Sequence, residues 1–333
     1  MSRDKEVCSV VIPVFNEEEN LELLHRRLSK VLQHSCQDYE IILVDDGSRD
    51  KSLEIMSGLR GTDPKVKIIS FSRNFGHQMA ITAGIDYSSG DAVIVMDADL
   101  QDPPGVIPQL IEKWREGYDT VYATRESRKD PILKRAIAFA FYRLFKRMSE
   151  VDVPVDAGDF RLMSRRVVDI LRNMPERNRY LRGLASWVGF SQASISYARE
   201  ERYRGERKYT LWQSARLAVD GITSFSRFPL RLVTNLGLVV SLAGFLYGAI
   251  IIILGLFFGR VVPGWTTLMA AVIFLGGIQL IVVGVVGEYI GRIYVEVQQR
   301  PLYLIKQKIG FAEKAEERDK PERRGPCKSK NSA

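Results

Sequence analysis

Two acidic residues directly follow an apolar run in the middle of the chain. The run 93–96 is typical of a buried β-strand, and Asp97 and Asp99 come immediately after it. Residues i and i+2 of an extended chain point the same way, so both carboxylates can face one cation. Mg²⁺ or Mn²⁺ suits such oxygen ligands and would bridge to the phosphates of a nucleotide. An Asp-x-Asp motif also caps helices, but the preceding apolar strand and the stiff exit at 102–104 favour the cation site.

Further polar residues follow the other strands of this region. Asn16 and Glu17 follow a first apolar run, and Asp45 follows a second. In an open α/β sheet the carboxyl ends of parallel strands form one ligand-binding edge. Acidic groups beside the first two strands suit hydrogen bonds to a ribose or a base. No Gly-x-Gly-x-x-Gly follows the first strand and no P-loop motif is present, which disfavours a dinucleotide-binding dehydrogenase and a P-loop enzyme. A metal-assisted nucleotide-sugar site remains.

The elements that must position these residues alternate between strand and helix. The pattern predicts strands at 7–14, 41–44, 66–71 and 92–96, with helices starting after residue 16 and covering 52–59, 76–87 and 106–116. Such alternation indicates βαβ units and hence an α/β domain with a mostly parallel, Rossmann-like sheet.

Two long apolar segments lie in the C-terminal part of the chain. The segments 236–258 and 268–287 are each long enough to cross the roughly 30 Å of membrane hydrocarbon. Basic residues precede the first and follow the second, so the positive-inside rule predicts that both termini lie in the cytoplasm. We therefore expect a multi-pass protein of the cytoplasmic (inner) membrane. Small residues in the second segment permit close helix packing and hence a homo-oligomer.

Charge and cysteine content narrow the set of partners. The net charge is +8 and the three cysteines are scattered. With two membrane spans, an anionic lipid surface explains the positive charge better than a nucleic acid does. The cysteines predict neither a disulfide framework nor a metal cluster.

The predicted organisation has four parts. Residues 1–210 form the α/β domain, which includes a basic amphipathic helix at 131–148 that lies in the membrane interface or packs on the domain's own core. Residues 211–232 form a juxtamembrane amphipathic segment, 233–295 hold two transmembrane helices, and 296–333 form a basic cytosolic tail.

Five motifs carry a resemblance to a known family. They are VVIPVFNE at 10–17, VDDGS at 44–48, SRNFG at 72–76, DADLQDPP at 97–104 and GDFRL at 158–162. In this order they resemble family 2 glycosyltransferases of the GT-A fold. The chain is similar, more narrowly, to polyprenyl-phosphate glycosyltransferases such as bactoprenol glucosyltransferases and dolichol-phosphate mannose synthases. GEYIGRIY at 287–294 and RPLY at 300–303 resemble the two-span bacterial branch.

The resemblance implies roles for the site residues. The nucleoside would be held by Pro13, Asn16, Glu17 and Asp45, the metal and diphosphate by Asp97 and Asp99, with Gln101 lining the sugar site. Asp159, or alternatively Asp156, would be the acidic residue near the acceptor. The alternative for either is a loop carboxylate paired with Arg161 or Arg165.

Basic residues of two segments would clamp the lipid phosphate or the donor diphosphate. They are Arg125, Arg128 and Arg135 after the fifth strand, and Arg202 and Lys208 in a loop that resembles the family's Arg-x-x-Gly-x-x-Lys-Tyr. We interpret His77 as a local cap or as packing on the donor side.

These implications define an expected reaction. A hexose, first of all glucose from UDP-glucose, would be transferred with inversion to undecaprenyl phosphate. The alternatives are mannose from GDP-mannose to dolichyl or another polyprenyl phosphate, and a membrane scaffold that binds a nucleotide sugar without chemistry. A phosphate monoester has a second pKa of about 6, so its oxygen is already anionic at neutral pH. Asp159 would therefore orient or stabilise charge rather than accept a proton.

Overall fold

The computed structural model describes residues 6–125, 157–177, 179–198, 228–258 and 264–311. The predicted interfacial helix at 131–148 and most of the predicted juxtamembrane segment at 211–232 lie outside these residues.

The described chain contains eight strands and eight α-helices. The strands are β1 (Val7–Val14), β2 (Asp38–Asp45), β3 (Val66–Phe71), β4 (Ala92–Val95), β5 (Thr120–Arg125), β6 (Ala157–Ser164), β7 (Gln192–Tyr197) and β8 (Ile305–Ile309). The helices are α1 (Leu21–Ser35), α2 (Ser52–Thr62), α3 (His77–Tyr87), α4 (Ile107–Arg115), α5 (Arg165–Asn173), α6 (Leu181–Trp187), α7 (Phe228–Phe258) and α8 (Trp265–Gln298).

All eight strands belong to one mixed sheet. Its order is β7-β5-β6-β4-β1-β2-β3-β8. The four central strands β4, β1, β2 and β3 are parallel, as are β5 and β7, whereas β6 and β8 run antiparallel to their neighbours. The predicted α/β class with a mostly parallel sheet is therefore confirmed, and the predicted bounds of β1 and β3 are those observed.

Alternating side chains of the central strands pack into two apolar layers, one on each face of the sheet. Val10 and Ile12 of β1 face the layer beneath α1 and α4, and Val11 faces the opposite layer beneath α3 and α5. Both faces are covered because successive strand residues point to opposite sides. This sandwich fixes the carboxyl ends of β1, β2 and β4 as one rigid edge.

Helices α7 and α8 form a long C-terminal hairpin and contact each other. The predicted spans 236–258 and 268–287 lie within them. By length and composition, Phe274–Gln298 is the one described segment that could cross a membrane, and the apolar stretch Leu232–Tyr247 is shorter. Large apolar side chains along both helices are exposed, for example Phe245 and Leu280 at 75% each.

The segment after the hairpin departs from the predicted basic tail at 296–333. Ile305–Ile309 forms β8, which pairs antiparallel with β3 at the edge of the sheet. Lys306 and Lys308 give this stretch the composition of a tail, but Ile305 and Ile309 pack against the core. This strand could not be predicted from composition, because its pairing partner β3 is more than 200 residues earlier in the chain.

A substitution at Gly84 tests the packing of α3 on the sheet. A Cβ at Gly84 would lie 2.1 Å from Val11 Cγ1, and Val11 is fully buried. We expect Gly84→Ala to lower the free energy of unfolding by about 1–3 kcal/mol, because the core has no room for another methyl group. Denaturant unfolding of the full-length protein in detergent measures this change.

Gly58→Ala is the matched control. Gly58 lies inside α2 and has nothing within 4 Å of an added Cβ. Its replacement is expected to be neutral or to stabilise by up to ~1 kcal/mol through helix propensity. Equal stability of the two variants would contradict the packing described for α3.

Candidate active site

The loops after β1 and β2 are tied together by hydrogen bonds at the carboxyl edge of the sheet. Asn16 N donates to Ser48 Oγ at 3.1 Å, and Arg49 N donates to Asn16 Oδ1 at 2.8 Å. Glu17 N donates to Ser52 Oγ at 3.0 Å. Asn16 adopts a left-handed backbone conformation with φ of 52°, which Asn tolerates better than most residues. The loop therefore has a fixed shape next to Pro13.

Asp45 and Asp46 at the end of β2 are almost completely buried. Asp45 accepts hydrogen bonds from Ser48 N at 2.9 Å and from Ser70 Oγ at 2.8 Å. Asp46 accepts from Phe75 N at 2.6 Å and from Gly76 N at 3.0 Å. Burial raises the pKa of Asp46, and these two backbone donors oppose that rise. Asp45 and Asp46 thus fix the turn after β2 and the loop that leads into α3.

Asp97 follows β4 in a setting unusual for a carboxylate. Its Oδ1 atom is buried and has no hydrogen-bond partner among the described residues. His77 Nε2 lies 3.4 Å from that oxygen, an ion-pair contact that lacks hydrogen-bond geometry. Burial raises the pKa of Asp97 to about 6, a shift that His77 opposes and the carboxylates of Asp102 and Asp159 reinforce. A further cation near Asp97 would therefore stabilise its charged form.

Asp99 and Gln101 lie in the turn that follows. Gln101 N donates to Asp99 Oδ1 at 3.2 Å. Leu100 between them is buried with a left-handed φ of 60°. Asp102 at the exit of the turn is buried and accepts a hydrogen bond from Tyr197 OH, which anchors the turn to β7.

His77 lies between two carboxylates. Its Nε2 atom is 3.4 Å from Asp97 Oδ1 and 3.4 Å from Asp159 Oδ2, and its side chain is 34% exposed. Burial lowers the pKa of His77, but the two carboxylates outweigh burial and raise that pKa to about 9. The interpretation of His77 as a local cap or as packing on the donor side did not include this contact with two carboxylates, which the raised pKa makes favourable for the charged imidazole.

Asp159 on β6 is held by a bidentate ion pair with Arg182. Arg182 Nε and Nη2 donate to its two oxygens at 2.8 and 2.9 Å. Burial alone would raise the pKa of Asp159, but the guanidinium of Arg182, together with His77, holds this pKa well below its usual range. The contact of Arg161 with Asp159 is longer, at 3.7 Å, and Arg165 pairs with Asp169 instead. Arg182 is thus the principal partner of Asp159.

Helix α6 carries Arg182, and α3 carries His77 and Gln78. Gln78 Oε1 accepts a hydrogen bond from Leu181 N at 3.1 Å, and Gln78 Nε2 lies 3.5 Å from Asp159 Oδ2. Gln78 therefore joins the start of α6 to the start of α3. Arg182 was not among the site residues predicted from the sequence, although the cluster of arginines at 177–182 was an available signal.

The structure thus brings Asp97 and Asp159 together through His77, beside the tied loops that contain Asn16, Glu17 and Asp45. Arg125 is the last residue of β5 and takes no part in the hydrogen bonds described above. The remaining predicted residues lie outside the described part of the chain: Asp156, Arg128, Arg135, Arg202 and Lys208.

The carboxylate oxygens of the site suit a hard divalent cation whose coordination shell is completed by a bound substrate. The described residues contain no group of three His, Cys, Asp or Glu side chains that could hold a metal ion by themselves. Mg²⁺ and similar ions commonly use one or two carboxylates and complete their shell with substrate phosphates and water. Asp97 and Asp99 would supply such a pair, and the Asp97 oxygen that lacks a hydrogen-bond partner among the described residues would be available to it.

Comparisons with known proteins show which family the chain resembles. Residues 9–171 match the family described as Glycosyl transferase family 2, and residues 228–293 match the GtrB C-terminal hairpin. The chain is 48% identical to the bactoprenol glucosyl transferase of Shigella phage SfII over 300 residues, covering 90% of this chain and 97% of the relative. It is 46% identical to the prophage bactoprenol glucosyl transferase homolog of Escherichia coli, covering 90% and 98%.

A solved structure is also similar, at lower identity. Glucosyl-3-phosphoglycerate synthase from Mycobacterium tuberculosis, in complex with Mn²⁺, UDP-glucose and glycerol 3-phosphate, matches with a TM-score of 0.42 and 19% identity. The match covers 65% of this chain and 76% of that chain.

The charge of His77 predicts a pH dependence of stability. The pKa of His77 rises from 6.5 in the unfolded chain to about 9 in the folded protein. The stability that His77 contributes is therefore fully present below pH 6.5 and is lost as the pH rises through about 9. We expect His77→Gln to be less stable than the parent below pH 6.5, with the difference shrinking as the pH rises from 6.5 and essentially gone above about 9.

Thermal unfolding of the full-length protein in detergent across this pH range measures the difference. His34→Gln, which removes an exposed histidine from α1, is the matched control for loss of a histidine. A gap between His77→Gln and the parent that stays constant with pH would contradict the assigned charge.

Proposed function

The chain belongs to glycosyl transferase family 2 and carries the GtrB C-terminal hairpin, and from this premise we propose that it transfers glucose from UDP-glucose to bactoprenol (undecaprenyl) phosphate. Relatives that match over nine-tenths of the chain bear the name bactoprenol glucosyl transferase. The observation that carries the proposal is the cluster of Asp97, His77, Asp159 and Arg182. Such a cluster suits a reaction in which the phosphate groups of the donor and of the acceptor approach the same sugar.

The donor would lie along the edge formed by β1, β2 and β4. Pro13, Asn16, Glu17 and Asp45 would hold the nucleoside, and Gln101 would line the sugar site. Asp97 and Asp99 would hold Mg²⁺ or Mn²⁺ against the diphosphate. A metal held there would supply neutralisation of the negative charge that develops on the departing nucleoside diphosphate.

The acceptor needs little help from a base. Its phosphate oxygen is anionic at neutral pH, because the second pKa of a phosphate monoester is about 6. The Arg182 ion pair, which keeps the pKa of Asp159 well below its usual range, makes this carboxylate a poor proton acceptor. Asp159 would instead hold the charged His77 and Arg182 in place as acceptor and donor phosphates approach. Of the carboxylates predicted to be catalytic, Asp99 would contact the metal and the diphosphate, whereas Asp159, with Asp156 as the alternative, would act near the acceptor through His77 and Arg182.

The transfer itself is a direct displacement. An oxygen of the acceptor phosphate forms a bond to the anomeric carbon while the bond from that carbon to the UDP oxygen breaks. Attack from the opposite face inverts the anomeric configuration. The electron pair leaves with UDP, and no proton has to move in this step.

Additional cations would bind the acceptor headgroup. Arg125, Arg128, Arg135, Arg202 and Lys208 are the proposed set, since arginine and lysine neutralise phosphate and arginine can bind it through two parallel hydrogen bonds. They would lie between the carboxyl edge of the sheet and the membrane.

The hairpin would place the reaction at the cytoplasmic face of the inner membrane. We propose that α7 and α8 contain two transmembrane helices within 233–295, with residues 1–210, the juxtamembrane segment 211–232 and both termini in the cytoplasm. The exposed apolar side chains along the hairpin support this arrangement, because lipid would cover them. The glycines at 276, 277, 284, 287 and 291 would also allow the hairpins of several copies to pack together.

Removal of Asp99 tests the proposed chemistry. We expect Asp99→Ala to lower the rate of glucose transfer to undecaprenyl phosphate at least ~100-fold, since the departing diphosphate loses its charge stabilisation. Asp169→Ala is the matched control, because Asp169 is an acidic residue of α5 whose side chain is 52% exposed. The full-length protein in detergent, with Mn²⁺ and UDP-glucose, is assayed by the mass of the product in the lipid phase.

A second donor separates the alternatives. GDP-mannose in the same assay is expected to give no product, and product from it alone would favour the mannosyl transfer instead. No product from any nucleotide sugar with the parental protein would favour a scaffold. An Asp99→Ala rate equal to the parental rate would contradict the metal site.

A further inference from the structure

The chain does not leave the catalytic domain when the hairpin ends. Residues 296–311, which we call the exit segment, return from the end of α8 to the edge of the sheet. The segment includes RPLY at 300–303, a motif with no assigned role in the proposed reaction. Its contacts reach α3, which carries His77, and the loop before α6, the helix that carries Arg182.

The first contact involves α3. Tyr303 stacks on Phe71 with ring centroids 5.1 Å apart and an interplanar angle of 14°. Its hydroxyl donates to Asp86 Oδ2 at 2.8 Å. Asp86 lies near the end of α3, and His77 is the first residue of the same helix. Tyr303 thus fixes the C-terminal end of the helix whose N-terminal end enters the active site.

The second contact involves the loop before α3. Ser72 N donates to Leu304 O at 2.9 Å, directly before the pairing of β8 with β3. Phe75 packs edge-on against Phe71 with centroids 5.6 Å apart, so the loop and the exit segment share one aromatic contact. The exit segment therefore holds the chain on both sides of His77.

The third contact reaches the loop before α6. Glu296 Oε1, near the end of α8, accepts a hydrogen bond from Arg177 N at 2.8 Å. Arg177 precedes Arg182 by five residues, and Leu181 between them is bound by Gln78 of α3. The exit segment thus contacts α3, which carries His77, and the loop that leads into α6, which carries Arg182.

We propose that Tyr303 and Glu296 are positioning residues of the active site. The exit segment fixes α3 and the start of α6, and so sets the position of His77 and Arg182 relative to Asp97 and Asp159. The inference rests on the proposed transfer reaction, in which a displacement of about 1 Å at these charges would cost on the order of 100-fold in rate. The alternative is a segment that only covers the edge of β3 and stabilises the fold.

Tyr303→Phe separates positioning from stabilisation. The variant keeps the ring that stacks on Phe71 and loses only the hydroxyl bound to Asp86. We expect kcat, normalised to the concentration of UDP-binding sites, to fall about 5-fold to 50-fold, with KM for UDP-glucose within about twofold of the parental value. The contacts of Tyr303 are with Phe71 and Asp86, whereas the nucleoside would bind the loops after β1 and β2. Lys306→Ala, an exposed residue of β8, is the matched control and keeps the parental kcat.

Amide hydrogen exchange of the full-length protein gives a readout independent of catalysis. In Tyr303→Phe, exchange is expected to accelerate in 72–82 and to stay parental in 38–45. In Glu296→Ala, a second variant that removes the bond to Arg177, it accelerates in 174–184.

The proposal is overturned if Tyr303→Phe lowers only the melting temperature, with kcat per UDP-binding site and exchange in 72–82 unchanged. Absence of glucose transfer by the parental protein would instead refute the proposed function. The exchange measurements still decide whether the exit segment positions α3 and α6.

Discussion

Mutual repulsion among carboxylates is the constraint that the active-site edge must satisfy. Asp97, Asp99, Asp102 and Asp159 are close enough that the last three each raise the pKa of Asp97. Closely spaced carboxylates in a partly buried site cannot all ionise unless cations balance them. His77 and Arg182 supply this balance, one between Asp97 and Asp159 and the other as a bidentate partner of Asp159. Any bound metal adds to a charge pattern already set by the chain.

The same balance assigns different tasks to similar residues. Asp97 keeps a raised pKa and an oxygen without a hydrogen-bond partner among the described residues, so it has affinity left for a cation. Asp159 has both oxygens bound by Arg182 and a lowered pKa, so it serves as a fixed charge. Two carboxylates, one just after β4 and one on β6, thus differ because of their partners. The helices that carry those partners, α3 and α6, are joined by Gln78, and the exit segment contacts α3 and the loop before α6.

Local patterns were enough to predict the central fold. The strands β1 and β3 are continuous apolar runs because both of their faces are buried in a parallel sheet, and their ends were predicted to the residue. The position of Asp97 at a strand end followed from the same pattern. The prediction failed for β8, whose lysines resemble a tail and whose strand character depends on pairing with β3.

The partners of the site residues could not be predicted in the same way. His77 and Asp159 are separated by 82 positions, and Arg182 follows Asp159 by 23. No local spacing relates them, because only the pairing of β4 with β6 and the packing of α3 and α6 bring them together. The family resemblance supplied the acidic residues, which stand in recognisable motifs, and left the balancing cations unassigned.

A double-variant cycle in the rate of glucose transfer tests the central claim most directly. Asp159→Asn, Arg182→Gln and the double variant are compared with the parent at saturating donor and Mn²⁺. If Asp159 and Arg182 act as one charge-balanced unit, the double variant is no slower than the slower single variant, with a coupling energy of at least ~1 kcal/mol. If the rate losses of the two single variants multiply in the double variant, the two side chains act independently, and this account is contradicted.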